Sequence, residues 1–393
     1  MNKLRHWLRK FHFYLACASA LPLLVVCITG SILVYQDPLD VAVNPGLLKS
    51  ASAQSERMDL DGFHKLAQGQ FPDVRFWALN IPGGKDRSLE LWSGHGDDFT
   101  SYHFDPSTAR FLGMRRSGEW TFANVVPLIL DVHYSLKAGE RGRYIVGTSA
   151  LVLTFSALTG LLLWMPRHTK NLLNKFALKK AKRWKQTAYI WHSNLGFYFS
   201  PIILALSMTG VSFTFHEISQ ALLEWMTQSP PSVEVPKLFH DKEKPQLSIE
   251  ELFSRSETYL KNKYGYAPGR MQINFATEDN GAIRTRFQGL TYLFNADRFN
   301  VWLDPHTGEI LQDISPPTLN TADSIMSWTG PLHFGTWGDI VGPKLGSFSR
   351  LVWAIGALMP LFFAITGLWF WKKSKVVKRI EQYRDRLSRK LNS

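Results

Sequence analysis

Four stretches of this chain, 13–35, 144–165, 195–215 and 351–371, carry no charged residue and are largely apolar. Each reaches the ~20 residues a helix needs to cross about 30 Å of hydrocarbon. Trp164, Trp191, Trp353, Trp369 and Trp371 lie near their ends, where aromatic side chains gather at membrane interfaces. One such run fits a buried core helix; four predict a membrane bundle. A shorter apolar stretch, 122–130, cannot span and reads as an interfacial segment leading into the second helix.

Between the first and second runs, and again between the third and fourth, the pattern changes. The first intervening segment predicts a helix over 60–70 and strands near 74–80, 88–92 and 100–104. A turn at Asp105-Pro106-Ser107-Thr108 leads to a further strand at 110–114. The second follows a Pro-rich linker from Ser229 to Pro245 and predicts a helix over 248–261 and strands near 271–276, 283–286 and 299–303. Its turn, Asp304-Pro305-His306-Thr307-Gly308, leads to 309–312. Two Asp-Pro-x-Thr turns in matching positions point to a duplicated unit of helix, outer domain, helix.

Charge supplies the orientation. Four Lys/Arg precede His12, eight lie in 167–185 with no acid, and nine against two acids follow Trp371. Those segments carry +19, more than the net +13 of all 393 residues, so the remainder is acidic. The positive-inside rule then places both termini and the central loop in the cytoplasm. This basic balance calls for membrane lipids and no nucleic acid. Small residues at 16–20 fall too early in the first run for signal cleavage, so an uncleaved anchor is expected. The expected organisation is a cytoplasmic N-terminus 1–12, membrane helices 13–35, 144–165, 191–216 and 351–371, and outer domains 36–121 and 217–327. Interfacial segments 122–143 and 328–350, a basic cytoplasmic loop 166–190 and a basic tail 372–393 complete it. The fold class is an all-α four-helix transmembrane bundle with two small periplasmic α+β domains inserted between helices.

Histidines carry the candidate chemistry. His12 and His192 stand at the cytoplasmic ends of the first and third helices; His133 and His333 precede the second and fourth on the outer side. Each helix ends in a Thr-Gly pair: Thr29-Gly30, Thr159-Gly160, Thr209-Gly210 and Thr366-Gly367. Eighteen steps from His12 to Gly30, and from His192 to Gly210, make about five turns and bring both ends to one face. Two pairs of neutral imidazoles, His12 with His192 and His133 with His333, suit two bis-imidazole haems, with the glycines clearing room for the rings or packing the helices closely. His216, at the outer end of the third helix, is an alternative outer ligand to His133 or His333. Arg141, Arg143 and Arg350 are candidates for haem propionates or membrane anchors. Without a CxxCH any haem is b-type and non-covalent. Cys17 and Cys27 lie in one helix, ten residues apart, and indicate neither a disulfide nor a metal site. No HExxH marks a zinc site.

The stretch from His133 to Arg143, Leu158-Thr159-Gly160 with Trp164, and Pro331-Leu332-His333-Phe334-Gly335 with Thr366-Gly367-Leu368-Trp369 resemble the PepSY-associated transmembrane family over nearly the whole chain. The outer segments are similar to PepSY domains. The resemblance implies an inner-membrane haem b reductase that takes electrons from the cytoplasmic side, reduces a ferric siderophore or other Fe(III) chelate in the periplasm, and releases Fe(II). After Trp371 there is no GxGxxG unit for a fused reductase, so a separate cytoplasmic protein or a quinol is the expected donor. Two other classes fit the same features: a non-enzymatic PepSY-type sensor or protease regulator, and a quinol-linked subunit serving another periplasmic acceptor.

Overall fold

A computed structural model describes residues 2–50, 57–84, 86–95, 98–166, 176–178, 180–238, 244–265, 270–277, 280–288 and 298–391. The chain opens with α1 (Asn2–Leu33), α2 (Gln36–Val43), α3 (Pro45–Leu48) and α4 (Leu60–Gln70). Strands β1 (Phe76–Ile81), β2 (Leu89–His95), β3 (Asp98–Phe104) and β4 (Phe111–Arg116) follow. Next come α5 (Val125–Ser135), α6 (Gly139–Trp164), α7 (Trp184–Thr214), α8 (His216–Thr227) and α9 (Ile249–Tyr264). The remainder forms β5 (Arg270–Asn274), β6 (Ile283–Gln288), β7 (Arg298–Leu303), β8 (Ile310–Ile314), α10 (Thr321–Ser327), α11 (Thr329–Phe334) and α12 (Pro343–Leu391). These elements divide into two compact units, one of 1–32, 132–215 and 352–393, the other of 33–131 and 216–351.

Among the described residues, four helices are long and apolar enough to cross a membrane, over Lys3–Leu33, Gly139–Trp164, Trp184–Thr214 and Pro343–Trp369. In the first unit, large apolar side chains such as Leu21, Leu151, Phe155, Met208 and Ile365 are exposed, whereas Ser149, Ser156, Thr159, Asn194 and Ser207 are buried. That inversion suits lipid, where small and polar residues make the helix contacts. Thr154 donates to Ser207 Oγ at 2.8 Å between α6 and α7. Trp164 stacks on Phe197 with centroids 3.8 Å apart, and its Nε1 donates to Asn194 Oδ1 at 3.3 Å.

The helices are longer than the uncharged runs. The basic N-terminus forms the first turns of α1, α7 starts at Trp184, and α12 starts at Pro343 and continues as one backbone helix to Leu391. Charged residues flanking a membrane run are good helix formers, and neither Gly nor Pro interrupts 372–391. Much of the expected loop 166–190 lies outside the described residues. The segment 122–143 holds α5; left-handed Leu136 and Lys137 (φ 51° and 58°) break the chain after it, and Gly139 (φ 58°) opens α6.

In the second unit eight strands make one antiparallel sheet, in the order β4-β3-β2-β1-β5-β6-β7-β8. The two outer segments, each expected to form a small α+β domain, share this one sheet. β1 pairs with β5, Ala78 opposite Asn274 and Asn80 opposite Gln272. One core joins Leu60, Phe63 and Phe104 of the first half to Leu252, Leu260 and Phe287 of the second. Each half alone would leave its first strand as an open edge; pairing the two edges satisfies both ladders.

The halves repeat in detail. Asp59 caps α4 by accepting from Gly62 N, and Ser248 caps α9 by accepting from Glu251 N. In the turns, Asp105 Oδ1 accepts from Ser107 N and Thr108 N at 3.1 and 3.2 Å. Asp304 Oδ1 accepts from His306 N and Thr307 N at 2.7 and 3.3 Å. The residue four places on is left-handed in both, Ala109 (φ 53°) and Gly308 (φ 71°).

Candidate functional site

The first unit gathers three of the predicted histidines, each against a Thr-Gly pair of another helix. His12, on α1, has Nδ1 3.0 Å from the Ser156 carbonyl and 3.1 Å from Thr159 Oγ1 on α6. His133, two residues from the end of α5, has Nδ1 3.1 Å from the Val26 carbonyl and 3.1 Å from Thr29 Oγ1 on α1. His192, on α7, has Nδ1 2.7 Å from Thr366 Oγ1 on α12. The exchange between α1 and the α5–α6 segment is reciprocal, histidine for threonine in each direction.

These contacts assign the protons. A carbonyl only accepts, so the Nδ1 atoms of His12 and His133 carry hydrogen. Each threonine directs its own hydroxyl hydrogen to a carbonyl of its own helix: Thr29 to Val25 at 2.8 Å, Thr159 to Phe155 at 2.9 Å and Thr366 to Phe362 at 2.8 Å. The hydroxyl lone pairs therefore face the imidazoles, and His192 Nδ1 donates as well. In all three neutral rings the lone pair is on Nε2.

Three of the glycines of these Thr-Gly pairs lie beside imidazoles. A Cβ built on Gly30 would stand 2.8 Å from His133 Cε1, one on Gly160 3.3 Å from His12 Cε1, and one on Gly367 3.8 Å from His192 Cε1. Threonine binds the ring nitrogen and the next residue leaves space for the ring carbon.

This donor set fits an axial ligand of a metalloporphyrin. Metal-bound imidazoles generally donate the other ring N–H to a fixed oxygen, which sets tautomer and orientation. The edge of Phe363 meets the His192 ring, centroids 5.2 Å apart at 68°. Among the described residues no three His, Cys, Asp or Glu groups converge on a bare ion.

The family described as the PepSY-associated TM region matches residues 9–373, nearly the whole length. The chain belongs to this family. A search among curated proteins finds no match.

The other candidates of this PepSY-associated chain lie elsewhere. His333, on α11 of the second unit, packs edge-on against Phe334, centroids 5.6 Å apart at 88°. His216 does not extend the third membrane helix: α7 stops at Thr214, Phe215 caps it, and His216 opens α8 as an exposed residue. Arg350 pairs with Asp339, and Arg143 donates to the Phe213 carbonyl at 3.3 Å, so both have protein partners. Arg141 is exposed. Sequence reasoning missed the threonines as histidine partners. The available signal was the count itself, four candidate histidines to four Thr-Gly pairs.

Proposed function

We propose that this PepSY-associated membrane protein is a di-haem b oxidoreductase of the bacterial inner membrane. It reduces a ferric siderophore or similar Fe(III) chelate in the periplasm and releases Fe(II), with both termini cytoplasmic and a cytoplasmic protein or quinol as donor. The observation that supports this reading is that Nδ1 of His12, His133 and His192 each meets a threonine hydroxyl of another helix, with Nε2 the proposed ligating atom. His12 with His192 is the proposed cytoplasmic pair. His133 is the proposed outer ligand.

When bound, such a group supplies reversible one-electron transfer. The chain's own part is positional. Thr159, Thr29 and Thr366 fix ring orientation, and the apolar helix faces exclude water. Hard oxygen donors hold Fe(II) less firmly than Fe(III), so reduction would loosen the chelate.

The test is a reduced-minus-oxidised spectrum and haem-to-protein ratio of the purified chain. A b-type α band and two haems are expected, with one haem lost in a His12→Ala, His192→Ala double variant. Absence of the band would sink the reading and favour a PepSY-type regulator.

A further inference from the structure

The face of the sheet opposite α9 carries two arginines on adjacent outward positions of β6, Arg284 and Arg286. Strand alternation puts them there, since Ile283, Thr285 and Phe287 point into the core. In register, Arg284 stands between Asn274 of β5 and Trp302 of β7, and Arg286 between Gln272 and Asn300. Arg284 donates from Nε and Nη2 to Asn274 Oδ1 at 3.3 and 3.0 Å. Arg286 donates from Nε to Asn300 Oδ1 at 3.1 Å and from Nη1 to Gln272 Oε1 at 2.8 Å. The Arg284 guanidinium lies 5.9 Å from the centre of the Trp302 ring.

Both side chains are half-buried, and neither meets a carboxylate among the described residues. Glu90 shares the row of Arg286 but stands three strands away, about 14 Å by sheet spacing. Burial, then the like charges of Arg284 and Arg298, push the Arg286 guanidinium down to about 9. Amide oxygens orient the two guanidinium forks without neutralising them. Arg284 Nη1 and Arg286 Nη2 have no hydrogen-bond partner among the described residues. Two fixed forks with unspent charge and spare donors match the oxygens of an anion; a purely structural pair would be less costly with acidic partners or as amides.

We propose that Arg284 and Arg286 form an oxyanion-binding site that takes carboxylate or phosphate oxygens of an anionic ligand, the iron chelate itself in the function proposed above. The identity of the chelate rests on that function; the anion site does not.

The test uses the full chain in nanodiscs, titrated calorimetrically with iron-free citrate, ferric citrate and inorganic phosphate at constant ionic strength. Wild type is expected to bind citrate, with affinity roughly tenfold or more weaker in Arg286→Gln and binding lost in the Arg284→Gln, Arg286→Gln double variant. Unchanged citrate affinity in the double variant overturns the site. If that variant misfolds, Arg286→Lys keeps the charge but loses the fork, and unchanged affinity there is equally decisive. Citrate binding that disappears when the nanodiscs contain phosphatidylglycerol assigns the arginines to lipid headgroups and overturns the chelate. Citrate binding without a haem band leaves the anion site standing and removes the proposed function. Reduction of ferric chelates without citrate binding does the reverse.

Discussion

Thr29, Thr159 and Thr366 each spend their hydroxyl hydrogen on their own helix and keep a lone pair for an imidazole from another element. A lone membrane threonine is usually silent; here the back-bond aims its oxygen. The neighbouring glycines are under graded demand. Gly30→Ala is expected to displace the His133 ring and cost most of one haem equivalent, because its Cβ would fall 2.8 Å from His133 Cε1. Gly367→Ala, at 3.8 Å from His192 Cε1, should retain both. Equal haem-to-protein ratios in the two variants would contradict this. A different histidine governs pH response. His103, fully buried on β3, has Nε2 3.1 Å from Ser101 Oγ and Nδ1 4.0 Å from Glu90. Burial pushes it down to about 4, against a partial opposing pull from Glu90. The native state keeps it neutral while the unfolded chain protonates near its usual value, about 6.5. Its contribution, roughly 3 kcal/mol, is therefore full above pH 6.5 and declines as pH falls toward 4. His103→Gln should flatten that decline, read as hydrogen exchange of β2 and β3 amides at pH 7 and 4.5.

At the scale of elements, α4 and α9 exchange carboxylates across the pseudo-symmetric sheet. Asp61 accepts from Ile249 N and Glu250 N at 2.8 and 3.1 Å, and Glu250 accepts from Leu60 N at 2.9 Å. Both acids stand at the second residue of their helices, so each first turn neutralises the positive end of the other. Asp61→Ala and Glu250→Ala are each expected to cost about 1 kcal/mol, with the double variant less than additive because they serve one junction. Thermal unfolding of the four proteins tests it; strict additivity would mean two independent caps. The bounds of α4 were legible in advance, since Asp59 starts it and the apolar positions 60, 63 and 67 mark its buried face. The extension of α12 to Leu391 was not, because its last turns are polar and lie beyond the apolar run that a membrane helix requires.

At the scale of the molecule, charge-free runs and charge asymmetry marked a four-helix membrane protein, and repetition of Asp-Pro-x-Thr marked two equivalent halves. Local signals suffice for such features: lipid demands length and apolarity, and a turn demands its own residues. Four histidines and four Thr-Gly pairs were also visible. Their matching was not, because hydrogen-bond partners as far apart as Thr366 and His192 are joined only once helices pack. The same limit hid the β1–β5 pairing, for an edge strand looks alike whether it faces water or its duplicate. It also hid the oxyanion face, where side chains from β5, β6 and β7 meet through register alone. Residue type and local period thus determined the elements and the chemistry on offer. Long-range packing decided which oxygen each imidazole nitrogen meets.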